Sequence, residues 1–191
     1  MLRQKPFKAT QRDCVVSRAL MSGVLLIQLV CNGVVFADGR WVEGTYRNLA
    51  FGYSITIPPG LRGMAGDEAG PEKGVRILLP SGGVILVYGE PNSLHWKSPK
   101  EGLRSEQANI ACGYQPEVKQ INFVLNAAKA AQICGDRVLR VILAFRKSGG
   151  PLYWLRLETV RVHASEDEEV LGSITESFRL VRKDRKKCAC Q

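Results

Sequence analysis

Imidazole is scarce in this chain of 191 residues: His95 and His163 are its only histidines. Nucleophilic catalysis wants a histidine beside an activated serine or cysteine, with an acid to orient it. No G-x-S-x-G elbow occurs to supply the serine. The segments Ser81–Gly83 and Ser148–Gly150 read instead as turns, because glycine reaches positive φ without a steric penalty. Metal patterns are missing too. Cys188-Ala-Cys190 has no other Cys or His near it in sequence, a poor zinc signal. Asp67, Glu68 and Glu72 lack the spacing of a calcium loop. The reading is therefore no catalytic residue, no metal site and no cofactor, with both histidines as loop or surface residues. Domain linkers and internal repeats are absent as well.

Net charge is also missing from the body. The whole chain has 27 Lys+Arg against 18 Asp+Glu. Five of those basic residues, with one acid, lie in residues 1–37, and Arg179–Gln191 carries a net +5. What lies between, Asp38–Phe178, balances 16 basic residues against 16 acidic ones. A nucleic-acid-binding domain shows a basic face built into its fold. Here the basicity sits in the two appendages, which argues against nucleic acid.

One long apolar run is present, Ala19–Ala37, preceded by Arg3, Lys5, Lys8, Arg12 and Arg18. A basic stretch, an apolar stretch and a small-residue end at Val35-Phe36-Ala37 describe a secretory signal peptide cleaved before Asp38. The same nineteen residues could span a bilayer as an uncleaved anchor, although Ser22, Gln28 and Asn32 weaken the run. A lipoprotein signal at Cys31 fits poorly, with Gln28 and Val30 before it. The expected layout is a leader over 1–37, one domain over 38–180 and a basic, mobile tail over 181–191. Export to the periplasm or the extracellular space permits disulfides. Cys112 and Cys134 could bridge a helix to the sheet or remain two buried thiols.

The strongest strand signal is Arg137–Val162, with period-two alternation in both arms around Ser148-Gly149-Gly150. A three-residue loop sets Phe145 opposite Tyr153, Leu143 opposite Leu155, Val141 opposite Leu157 and Arg140 opposite Glu158. Phe51–Pro59 reads as a half-buried strand, and Leu61–Gly74 as a glycine-rich loop. A hairpin follows, Val75–Leu79 with Val84–Tyr88, its arms apolar enough for a sheet covered on both faces. Ser98-Pro99-Lys100-Glu101 opens a helix with a capping box. Val118–Leu125 alternates as a strand. Asn126–Gly135 reads two ways, since its alanines favour helix and its position favours strand. Ser165-Glu166-Asp167-Glu168 repeats the capping box. It opens a helix whose stripe is Val170, Leu171, Ile174 and Phe178.

Tyr46, the phrase Phe51-Gly-Tyr-Ser-Ile-Thr-Ile-Pro-Pro-Gly60, the central hairpins and the closing Ser177-Phe178-Arg179 resemble the PsbP-like superfamily of secreted and extrinsic domains. The resemblance spans most of residues 46–181. It implies an α+β fold, an α/β/α sandwich of covering helices around a mostly antiparallel sheet, and an accessory or scaffolding role. No binding residue of that family maps onto a position here, and the basic tail with its cysteines falls outside the pattern.

The functional expectation is an exported, non-enzymatic module that binds a protein or an envelope component. Two alternatives stand beside it: an enzyme with a site dispersed in sequence, and a membrane-tethered accessory subunit. The residues expected to make electrostatic contact, with an anionic membrane or an acidic partner, are Arg182, Lys183, Arg185, Lys186 and Lys187.

Overall fold

The computed structural model describes residues 39–66, 74–107, 118–146 and 150–181. The chain runs through β1 (Arg40–Val42), β2 (Thr45–Asn48), β3 (Tyr53–Thr56), β4 (Gly63–Ala65), β5 (Val75–Leu78) and β6 (Val84–Glu90). Then come α1 (Pro99–Gln107), β7 (Lys119–Ile121), β8 (Asn126–Cys134), β9 (Arg137–Phe145) and β10 (Leu152–Val160). A 3₁₀ turn, Arg161–His163, leads into α2 (Ala164–Ser177), and β11 (Arg179–Leu180) closes the order. The fold is α+β, and every strand pairing is antiparallel.

Eight strands form one sheet in the order β1-β4-β5-β6-β10-β9-β8-β7. Its centre is the hairpin read from Arg137–Val162, buried on both faces. On one face Tyr153, Leu155 and Leu157 join Ile85, Val87, Ile142 and Ala144. On the other Trp154 and Leu152 join Tyr88, Leu143 and Phe145. The first face lies under Leu171 and Ile174 of α2, with Phe178 just beyond that helix, and under Tyr53, Ile55 and Ile57. Phe178 stacks on Tyr53 at 5.4 Å between ring centres and meets Phe123 at 5.3 Å. The second face lies under Leu103 of α1 and Trp96.

The layer over the first face is not helix alone. β2, β3 and β11 make a separate three-stranded sheet, order β11-β3-β2. Phe51–Pro59, read as a half-buried strand, lies over the main ribbon with its own hydrogen-bonding neighbours. Arg179 and Leu180, the chain just before the expected tail, pair with Ser54 and Tyr53. The Arg179 guanidinium also donates to the Glu176 carbonyl at 2.6 Å, at the end of α2, where a cation complements the helix dipole.

The expected hairpin register is corrected by one residue. Phe145 sits opposite Leu152, Leu155 opposite Ile142, and Arg140 opposite Leu157, not Glu158. Alternation fixes register only where one face is buried and the other wet. Here both faces are buried, so either register places apolar groups in a core. Arg140 turns instead to α2, donating from Nε to Glu168 at 2.7 Å. Glu158 lies 3.4 Å from Arg156 on its own strand.

Other expectations shift with tertiary context. Asn126–Cys134 is a nine-residue strand despite its alanines. Ala128 and Ala130 are small because α1 settles close above them, and Gly102 supports that approach. A Cβ on Gly102 would lie 2.5 Å from Leu143 Cδ2 and 2.6 Å from Trp96 Cε3. Leu61–Gly74 contains the short strand β4, and of Val118–Leu125 only Lys119–Ile121 is strand. β5 is not buried on both faces, since Leu78 is 48% exposed. At α1 the capping box is real: the Glu101 N–H donates to Ser98 Oγ at 3.2 Å, and the Glu101 carboxylate accepts the Lys97 N–H at 2.8 Å. At α2 it is not. The cap residue is His163, without a side-chain cap bond, because the 3₁₀ turn delivers the chain already coiled.

Candidate functional site

Pairing register decides which connections share an end of the sheet. Leu152 lies opposite both Glu90 and Phe145, and Phe145 opposite Asn126. The segments after Glu90, after Phe145 and before Asn126 therefore leave from one end. The turn between β2 and β3 is drawn to that end as well. The Tyr153 hydroxyl donates to the Phe51 carbonyl at 3.1 Å. The Val181 N–H donates to the Gly52 carbonyl at 2.9 Å, so the described chain also finishes there.

Between these loops opens a crevice of about 680 Å³, bordered by Phe51, Asn92, His95, Arg146, Pro151 and Val181 among others. Its size is that of a small-molecule or headgroup site. One wall is built from Pro91–Lys97. Asn92, 5% exposed, donates from its amide to the Trp96 carbonyl at 2.9 Å and accepts the Trp96 N–H at 3.0 Å. Closing five residues this tightly puts His95 at φ 54, the left-handed region that only a few residue types tolerate. Backbone strain held by surrounding bonds is common at functional sites.

The crevice is cationic. Arg146 borders it, and no carboxylate is among its described lining. Burial holds the Tyr153 hydroxyl above its ordinary value, and the nearby Arg146 cation pulls the other way. Just behind, at the end of β6, Glu90 accepts the Trp154 indole N–H at 2.6 Å. Its carboxyl is raised, first by burial, with Glu106 adding and the Trp154 bond opposing. Folding thus favours the protonated form, so stability falls as pH climbs from the ordinary glutamate value through the raised one. Glu90→Gln keeps the acceptor and removes the charge. The variant is expected to melt above the parent at neutral pH, with the gap closing below about pH 4, as thermal melts across pH would show.

Elsewhere the polar groups are structural. His163 Nδ1 is 4.0 Å from Glu166 at the start of α2, far along the chain from the crevice. Tyr88, next to Arg156 and beneath α1, is pushed up to about 12, chiefly by burial. Gln132, 3% exposed, has neither amide atom bonded, but the cavity beside it is about 20 Å³, room for one water. Asp167, expected only to cap, is buried and bonded to Ser81 and Thr159. Among the described residues no three His, Cys, Asp or Glu side chains gather as a metal-binding group.

Cys134 ends β8. Cys112, Cys188 and Cys190 lie outside the described residues, as do Asp67, Glu68, Glu72, Arg182, Lys183, Arg185, Lys186 and Lys187. Residues 1–38, with the expected leader or anchor, lie outside them too. No helix among the described residues is long and apolar enough to cross a membrane. Of the candidate site residues weighed from sequence, and among those the structure describes, His95 is the one at the crevice. Arg146 and Asn92 were missed, and the one local hint was the turn-forming pair Pro91-Asn92.

Neither a protein-family model nor a curated protein sequence matches the chain. Among solved structures it is similar to the solution structure of cyanobacterial PsbP (CyanoP) from Synechocystis sp. PCC 6803. That match has 16% identity and a TM-score of 0.48, over 78% of this chain and 96% of that one. At that distance the likeness carries no argument about function, which rests on the residues above.

Proposed function

We propose that the chain is an exported, non-catalytic accessory module that contacts its partner or envelope component through the loop-bearing end of the sheet. The observation that carries this reading is the crevice of about 680 Å³ with Arg146 at its border and no carboxylate in its described lining. The sequence that follows Val181 adds Arg182, Lys183, Arg185, Lys186 and Lys187 against a single acid, Asp184. A field of one sign in front of a concave, partly apolar surface favours an anionic partner and speeds its encounter.

The test fills and inverts the crevice without touching either core. Ser93→Trp and Arg146→Glu are both at its exposed rim. Each is expected to melt within a few degrees of the parent, since exposed substitutions change stability by about 0.5 kcal/mol or less. Retention on native envelopes is expected to fall about tenfold or more for the pair, while Arg161→Glu at the far end changes little. Unchanged retention with both rim substitutions would send the search to another face. The enzyme alternative has its own discriminator. His95→Asn tolerates the left-handed backbone; loss of cellular function with envelope retention intact would favour a catalytic histidine, whereas function and retention that change together favour the contact reading.

A further inference from the structure

Three exposed apolar side chains stand at the crevice end, each at the tip of a different connection. Leu49 is 70% exposed between β2 and β3, Leu94 65% after β6, and Val124 57% between β7 and β8. Scattered exposed leucines are ordinary on a soluble surface. These are displayed by braced turns. Beside Leu49, the Asn48 side chain accepts the Phe51 N–H at 3.0 Å and its carbonyl accepts the Gly52 N–H at 2.9 Å. Beside Leu94, the His95 N–H donates to the Asn92 carbonyl at 3.2 Å, inside the Asn92–Trp96 ring. Beside Val124, Leu125 is buried at 8% exposure and holds the turn down.

Exposure alone does not single out this end, because Val162 is 84% and Ile133 49% exposed at the other. Charge does. Around Val162 and Ile133 the chain carries Asp136, Glu158, Glu166 and Glu169 with Arg137 and Arg161. The three connections that carry Leu49, Leu94 and Val124, residues 49–52, 91–98 and 122–125, contain no acid and include Lys97. Arg146 stands beside them in the crevice. The β4–β5 connection also leaves from this end, since Ala65 pairs with Val75 and Val75 with Val87. Asp67, Glu68 and Glu72 belong to its sequence but lie outside the described residues, and none is in the described lining of the crevice.

We infer that this end docks on an anionic phospholipid surface, with Leu49, Leu94 and Val124 entering the headgroup–acyl boundary and Arg146 meeting a headgroup phosphate in the crevice. The inference rests on the reading that the loop end is the contact face, and it names the partner. Apolar tips with cations just behind them are what an interfacial surface rewards, since burial and attraction to anionic headgroups act together. An acidic protein would satisfy the cations but would need a matching apolar pocket for each of three separate tips.

The experiment follows individual positions, so that it reads the same whether or not residues 19–37 are retained. The full chain carries Leu94→Trp, or Val162→Trp at the other end as control. Vesicles contain equal phosphatidylglycerol and phosphatidylcholine, or phosphatidylcholine alone, with brominated acyl chains as quenchers. The tryptophan at 94 is expected to shift blue and be quenched on the anionic vesicles alone, less so at 1 M salt, where the screening length is about 3 Å. The tryptophan at 162 stays unquenched. Leu49→Ser with Leu94→Ser lowers vesicle affinity roughly tenfold or more. Truncation after Val181 lowers it roughly fivefold per basic side chain that engaged the surface. Equal quenching at 94 and 162, or none at 94, overturns the inference. If none is seen at 94 while the rim substitutions still abolish envelope retention, the loop end remains the contact face and its partner is an acidic protein.

Discussion

Leu155→Asp leaves no folded domain. Leu155 is fully buried in β10, opposite Val87 on one neighbouring strand and Ile142 on the other. It belongs to the core that Tyr53, Ile55, Leu171 and Ile174 close from above. An aspartate there has no cation in that apolar cluster to pair with, and an unpaired buried charge costs several kcal/mol even after relaxation. The cavity left by the lost leucine adds about 2–5 kcal/mol. Against a total stability of about 5–15 kcal/mol, that exhausts the margin. Leu155→Ala, which creates the cavity without the charge, is expected to fold and to unfold at lower denaturant. Yield of folded protein and a cooperative melt distinguish the two. A Leu155→Asp variant that melts cooperatively near the parent would mean that the layer over this face stands open.

That prediction needs only burial, which the alternation of β10 already announces. The register needs more, and the difference shows what a sequence can carry. A pattern of apolar residues says which side chains want a core. When both faces of β9 and β10 have one, it no longer says which residue faces which. The partner of Arg140 was therefore misread: Glu158 is nearer in sequence, but Glu168 comes from α2, and a pairing code within the hairpin cannot see it. The same holds for Ser165–Glu168. As a local motif it reads as a cap, whereas the 3₁₀ turn starts the helix and releases Asp167 and Glu168 for bonds to the sheet. The small sheet was invisible because β11 is two residues long and pairs with β3 across most of the chain. The crevice was invisible for a related reason. Its walls come from connections near residues 51, 92, 146 and 181, and no one of them carries a motif. Only the strain at His95 marks the place, and φ is a property of the folded loop. The start of helix α1 was legible, because Ser98, Pro99 and Glu101 act within one turn of each other.

Asp167→Ala is expected to cost about 3 kcal/mol, far more than a capping acid would. Asp167 is 4% exposed in the first turn of α2, where the helix dipole favours its charge. Its carboxylate accepts the Ser81 hydroxyl at 2.8 and 3.0 Å and the Thr159 hydroxyl in a short bond. The Ser81 oxygen in turn accepts the Gly83 N–H at 3.0 Å. One carboxylate thus ties the turn between β5 and β6, the end of β10 and the start of α2 into a single knot. Bonds to a charged group are worth about 1.5–3 kcal/mol each, and removing the acceptor also leaves the Thr159 hydroxyl, 6% exposed, without a partner. Ser81→Ala and Thr159→Val each take away one donor and should cost about 1–2 kcal/mol. Because all three changes dismantle the same network, the triple variant should lose clearly less than the sum of the singles. Asp167→Asn, whose amide oxygen can still accept one hydroxyl, should fall between parent and alanine. Urea melts of the parent and the five variants, compared at constant slope, measure these differences. Strictly additive costs, or a loss under about 1 kcal/mol for Asp167→Ala, would show that α2 is held to the sheet by Leu171, Ile174 and Phe178 alone.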